Sequence, residues 1–178
     1  MRNYAQVIQG TQLCIDQKLQ MPSLILIYTL IDTLAWASSD KKGSVRTRFE
    51  GWVTTWLGSR VLCTPTELYA ARCGILHTLT SKADLTVREQ VREVAYAWGT
   101  AKSEDLQTTI DHLEMENVVA VHIGVLFQAV REAMADMLEK AETDTALASN
   151  LNEAAASHLM NEEPELVAQY LKLIRDTH

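Results

Sequence analysis

A chain of 178 residues with 47% apolar and 22% charged side chains can bury one substantial core and is too short for two ordinary domains. Three prolines and seven glycines leave too few turn formers for an all-β architecture, so a single, mainly α-helical domain over residues 1–178 is expected. A net charge of −7 excludes a generally basic nucleic-acid binder.

The charge is uneven along the chain. Residues 1–100 hold eleven Lys or Arg against eight Asp or Glu, and residues 101–178 hold five against fifteen. The acidity is therefore C-terminal, and a local basic patch at Lys41, Lys42, Arg46, Arg48 and Arg60 stays open beside the plainer reading of a solvated face. The N-terminal MRNYAQVIQG lacks the basic start, apolar run and cleavage site of a signal peptide. Three cysteines, Cys14, Cys63 and Cys73, are odd in number and lack metal-ligand spacing, and His112, His122, His158 and His178 form no ligand pattern. A reducing cytoplasm, with no metal and no cofactor, is the expectation.

In chain order, Val7, Ile8, Leu13, Ile15 and Leu19 predict an amphipathic first helix over 3–19, ending before Pro22. From Ser23 to Trp36 apolar residues cover every side. A helix over 23–37 is expected, packed all round by neighbours, with Asp32 and a length slightly short of a bilayer span arguing against a membrane segment. The polar SSDKKGS, Ser38 to Ser44, is a loop. Phe49, Trp52, Val53 and Trp56 at i, i+3, i+4, i+7 then predict a third helix over 44–57, which makes Trp52 and Trp56 core residues rather than platforms for stacked bases.

Thr64, Pro65 and Glu67 form a capping box that starts a helix over 65–81. Residues 85–98 suit a helix through Val87, Val91, Val94 and Trp98, or a strand through Val94, Tyr96 and Trp98. A strand near Glu93 to Trp98 is favoured, paired antiparallel with Asn117 to Val121 across the polar insert Gly99 to Glu116. Ile123, Leu126, Phe127, Val130, Met134, Met137 and Leu138 share one face and predict a long helix over 122–141. Residues 142–161 are more polar, anchored by Leu147, Leu151 and Leu159. Pro164 opens a terminal amphipathic helix over 164–176 through Leu166, Tyr170, Leu171 and Ile174.

The helix over 65–81 carries two residues that its packing does not explain. On a wheel of 100° per residue, Arg72 falls among Leu68, Ile75, Leu76 and Leu79, whereas His77 lies about 140° round and roughly 7.5 Å along, among Thr66, Ala70, Cys73 and Thr80. Either Arg72 is a structural ion-pair partner and His77 a surface residue, or the two line one cleft. Asp32, stranded in an apolar helix, is the candidate carboxylate for Arg72, because unpaired buried charge is costly. The pairing is compatible with both readings.

The stretch ARCGILH, with Arg-x4-His in a small all-helical chain, resembles the HEPN superfamily of nucleotide-binding and ribonuclease domains. The apolar helix LILIYTLIDTLAW before it and IGVLFQAVREAM after it agree with that likeness, which extends over roughly residues 22–140. The resemblance implies a HEPN-like helical bundle, a homodimer whose subunits bring their Arg and His residues to one cleft, and metal-independent cleavage of RNA by its own 2′-OH. It makes Arg72 the phosphate-binding residue and His77 the general acid or base. Cys73 stands where catalytic members commonly carry Asn, Asp or His. Imidazole moves protons near neutral pH and guanidinium offers a forked donor set for phosphate, so the chemistry is coherent.

Thr80 and Ser81, one turn past His77, together with Arg46 and Arg48, are the candidate substrate-binding residues. Cys73 and His77 at i, i+4 suggest a thiol and its base, but no third orienting group can be identified. Two functions stay open: a HEPN-like endoribonuclease or RNA-binding protein of a stress or defence system, held in check by a regulatory protein partner, and a non-catalytic helical protein-interaction module that uses the acidic C-terminal region.

Overall fold

The structure, a computed structural model, describes residues 2–80 and 91–157 together with 169 and 172. Apart from residues 169 and 172, the predicted helix over 164–176 lies outside the described residues, as does Ser81. The fold is mainly helical with one small two-stranded sheet. The elements run α1 (Arg2–Asp16), α2 (Gln20–Ser38), α3 (Val45–Trp52), α4 (Pro65–Thr78), β1 (Glu93–Ala97), α5 (Ser103–His112), β2 (Val118–His122), α6 (Ile123–Ala141) and α7 (Thr145–Ala156).

Helix α2 is the axis. It packs against α1, α3, α4, α6 and α7, which is why apolar residues surround it: Leu24, Ile27, Tyr28, Leu30, Ile31 and Leu34 are all buried. By length and apolarity this helix could also cross a bilayer, yet half of its most apolar stretch is buried inside the domain. Its Tyr28 hydroxyl meets the Tyr96 hydroxyl of β1 at 2.6 Å. Burial pushes both phenols well above their ordinary range, so the pair stays protonated.

Past α3 the chain does not hold a regular α pitch. A π turn at Val53–Leu57 and a 3-10 turn at Gly58–Arg60 follow Trp52. The wider turn delays the phase, so Leu57 reaches the core beside Phe49, Trp52 and Val53 while Trp56 is only half-buried. Trp52 is a core residue, its indole N–H directed at Met137 Sδ at 3.4 Å.

The ribbon exists but its sense is parallel, not antiparallel: Glu93 pairs with Val118 and Ala97 with His122. The segment read as a polar insert contains α5, which carries the chain back so that β2 starts beside the start of β1. A helical crossover is what parallel strands require. Its apolar content is small, Ile110 buried and Leu106 half-buried. Gln107 Oε1 accepts the Ala120 N–H at 2.8 Å and so satisfies a donor of β2. The polar stretch after 142 holds α7, capped by Asp144 Oδ1, which accepts from Ala146 N and Leu147 N.

Candidate functional site

Helix α4 begins as its sequence dictates. Thr64 Oγ1 accepts the Glu67 N–H at 3.2 Å, and Glu67 Oε2 accepts the Thr64 N–H at 2.8 Å. Arg92, just before β1, completes the arrangement with Nε on Oε1 at 2.6 Å and Nη2 on Oε2 at 3.1 Å. Burial works to raise the Glu67 carboxyl, but the bonds from Arg92 and Thr64 outweigh it and hold the group below its usual range. The same burial, with the Glu67 carboxylate nearby, pushes the Cys63 thiol up to about 12, so Cys63 is inert.

The other end of α4 closes differently. Leu79 adopts a left-handed conformation at φ 54 and ψ 33, and Gly74 O accepts from Thr80 N at 3.3 Å and from Thr78 Oγ1 at 2.8 Å. The helix therefore stops at Thr78. Leu79, placed on the apolar stripe by the wheel, is 59% exposed instead. Thr80 is exposed, its hydroxyl 2.7 Å from that of Thr78.

Between these ends lies the cluster around Arg72. Its Nε and Nη2 both reach Asp32 Oδ2, at 2.8 and 2.7 Å, and the two side chains are 15% and 21% exposed. Burial works to lower the guanidinium's proton affinity, and the Asp32 carboxylate more than offsets that, holding Arg72 above its ordinary range. The third nitrogen, Nη1, stands 3.2 Å from His77 Nε2. Guanidinium can only donate, so the ring in this contact is the neutral Nδ1–H tautomer. A wheel locates Cβ atoms, and the long arginine side chain closes the 140° between the two residues.

Tyr69 completes the cluster, and no sequence argument singled it out. The guanidinium carbons of Arg46 and of Arg72 each lie 5.9 Å from its ring centre, within the range of a cation–π contact. Burial, followed by the neighbouring Cys73, raises the phenol above its ordinary range. The i, i+3 spacing of Tyr69 and Arg72 was the available signal. Arg46 joins the site through this ring and through Glu50, at 2.9 Å. Arg48, two residues on and so about 200° round α3, donates to Gly43 O and lines a separate groove with Trp52, Asp144 and Asn150.

Four of the five residues in the presumed basic patch have carboxylate partners. Lys41 meets Glu153, Lys42 meets Asp40, Arg46 meets Glu50, and Arg60 meets Asp136 and Glu132. Cys73 Sγ sits 4.0 Å from Arg72 Nη1, and among the described residues His77 Nε2 faces that same Arg72 Nη1 rather than the thiol. Among the described residues, no three His, Cys, Asp or Glu side chains cluster as metal ligands would. No protein-family model, no curated protein and no solved structure matches the chain.

Proposed function

We propose that this chain is a HEPN-like, metal-independent endoribonuclease of a stress or defence system, acting in the cytoplasm as a homodimer in which two Arg72/His77 pairs share a cleft. The observation that carries the reading is the 3.2 Å contact between Arg72 Nη1 and an exposed His77, with Asp32 anchoring the guanidinium from behind. A scissile phosphate competes with His77 for Nη1. Once Nη1 turns to the phosphate, the Nε2 lone pair of His77 is free to take a proton.

The RNA 2′-OH then attacks the adjacent phosphorus and gives its proton to His77. The P–O5′ bond breaks, and the leaving oxygen takes a proton from His77 of the partner subunit. The products are a 2′,3′-cyclic phosphate and a 5′-hydroxyl. Arg72 offsets the charge that develops on the phosphorus oxygens. Two imidazoles let one take the 2′-OH proton while the other protonates the leaving oxygen, and a chain with one Arg-x4-His supplies both only as a dimer.

Purified protein incubated with mixed RNA in EDTA should release cyclic-phosphate ends and leave DNA intact, and light scattering at micromolar concentration should show a dimer. Unchanged cleavage by folded His77→Ala would exclude the mechanism. The second reading, a non-catalytic helical interaction module, is favoured by one observation: the carboxylate partners of Lys41, Lys42, Arg46 and Arg60 reduce the positive field available to a nucleic acid. Failure of the protein to bind or cleave any RNA selects it.

A further inference from the structure

We propose that His122 is a pH-sensitive latch, whose neutral imidazole ties together the end of β2, the turn after β1 and the N-terminus of α6, and whose protonation releases the helix end. Nδ1 accepts the N–H groups of Gly124 at 3.1 Å and Val125 at 3.3 Å, and Nε2 donates to the Gly99 carbonyl at 3.2 Å. These three bonds require Nδ1 bare and Nε2 protonated, which is a neutral ring. Helix N-caps are ordinarily Ser, Thr, Asp or Asn, and none of these changes its role near neutral pH. Imidazole does.

The backbone is fitted to this ring. A Cβ at residue 124 would meet His122 Cε1 at 3.2 Å and Nδ1 at 3.3 Å, so a side chain there presses on the cap. Gly99, at φ 66, turns the chain just past β1, where its carbonyl receives Nε2–H. The ring therefore bridges the carboxyl ends of both strands.

Charged groups face the imidazole from two sides. Asp16 and Lys18, from the end of α1, line with it a pocket of about 160 Å³ walled by Leu19 and the exposed Trp98. Arg60, from the 3-10 turn, and Glu132, from α6 itself, line with it the groove on the other side, where Arg60 is paired with Glu132 and Asp136. Each side carries one charge of each sign. What an added proton meets is then the pair of backbone donors and the positive end of a 19-residue helix. With Nδ1 protonated, both capping bonds are lost and the helix end is uncapped, while Nε2–H still donates to the Gly99 carbonyl and holds the ring on the β1 side.

The test is a titration of the 15N-labelled full chain from pH 8 to pH 5, with thermal melts at both ends. The Gly124 and Val125 amide resonances should shift together in one transition, and His122→Asn, which keeps a capping acceptor without a titrating ring, should abolish it. Wild type should lose about 2–4 °C more in Tm over this range than His122→Asn, the worth of one cap in a domain of this size. The other histidines are present in both proteins and cancel. Static Gly124 and Val125 amides, or an equal Tm loss in the two proteins, would overturn the latch; should His122→Asn fail to fold, the wild-type amide titration decides alone.

Discussion

Two arginine–carboxylate pairs bracket α4, and they are built to opposite rules. At the start of the helix Glu67 spends both oxygens, on Arg92 and on the Thr64 N–H. Further along, Asp32 receives two Arg72 nitrogens on Oδ2 alone, while its buried Oδ1 has no hydrogen-bond partner among the described residues. Arg72 is left with Nη1 to turn towards His77. The first pair is closed and joins two elements. The second is open: Asp32 Oδ1 is left over and Arg72 Nη1 faces an exposed imidazole instead of a carboxylate.

The widest separation between the two pairs should come in activity. In the ribonuclease assay His77→Ala should lower turnover by about 10²–10⁴-fold while leaving the urea midpoint unchanged, as removal of a proton-transfer group does. Arg92→Ala should do the reverse, costing about 3 kcal/mol in urea unfolding because it strands a buried carboxylate, with activity per folded molecule retained. If both variants lost the same property, the contrast would collapse.

Asp32→Ala should sit between them. It should destabilise by about 2 kcal/mol, less than a fully buried pair because both side chains keep some contact with water, and it should also weaken phosphate binding by freeing Arg72. A smaller effect sharpens the first pair alone. The carboxyl of Glu67 is held below its unfolded value, so its share of stability is present above about pH 4.3 and lost as pH falls through the folded value. Acid unfolding of Arg92→Ala should lack that share when the two curves are subtracted. The smallest change concerns the open end of the helix: Leu79→Gly should stabilise by about 0.5–1 kcal/mol, since a left-handed residue with an exposed side chain loses little packing and sheds steric strain.

The closed pair was half legible in the sequence. Thr64, Pro65 and Glu67 announce the helix start because capping is local, whereas Arg92 lies 25 residues from Glu67 and has no local signature. Asp32 could be matched to Arg72 across 40 residues because each was the anomaly on its own apolar helix. Tyr69 was not an anomaly; an aromatic residue on an amphipathic helix reads as core. The mistaken sense of the ribbon has a similar cause, since α5 offers too little apolar surface in Leu106 and Ile110 to reveal a crossover. The π turn at Val53–Leu57 answers to packing around Leu57, which periodicity averages away. His122 was weighed only against a metal-ligand pattern, which it does not fit, because histidine is not among the usual caps.

The parallel sense of the ribbon bears on the order in which the molecule assembles. Every registered pair, from Glu93 with Val118 to Ala97 with His122, joins residues 25 positions apart, so no tight turn can nucleate the strands and a large loop must close first. The ten residues of α5 that span that loop are too few to persist as an isolated helix. Strand pairing and α5 must therefore condense together, on the surface that Tyr28 of α2 presents to Tyr96. Folding of this chain should show a slow phase that tracks Tyr28 and Tyr96, behind the faster docking of α1 and α3 on α2.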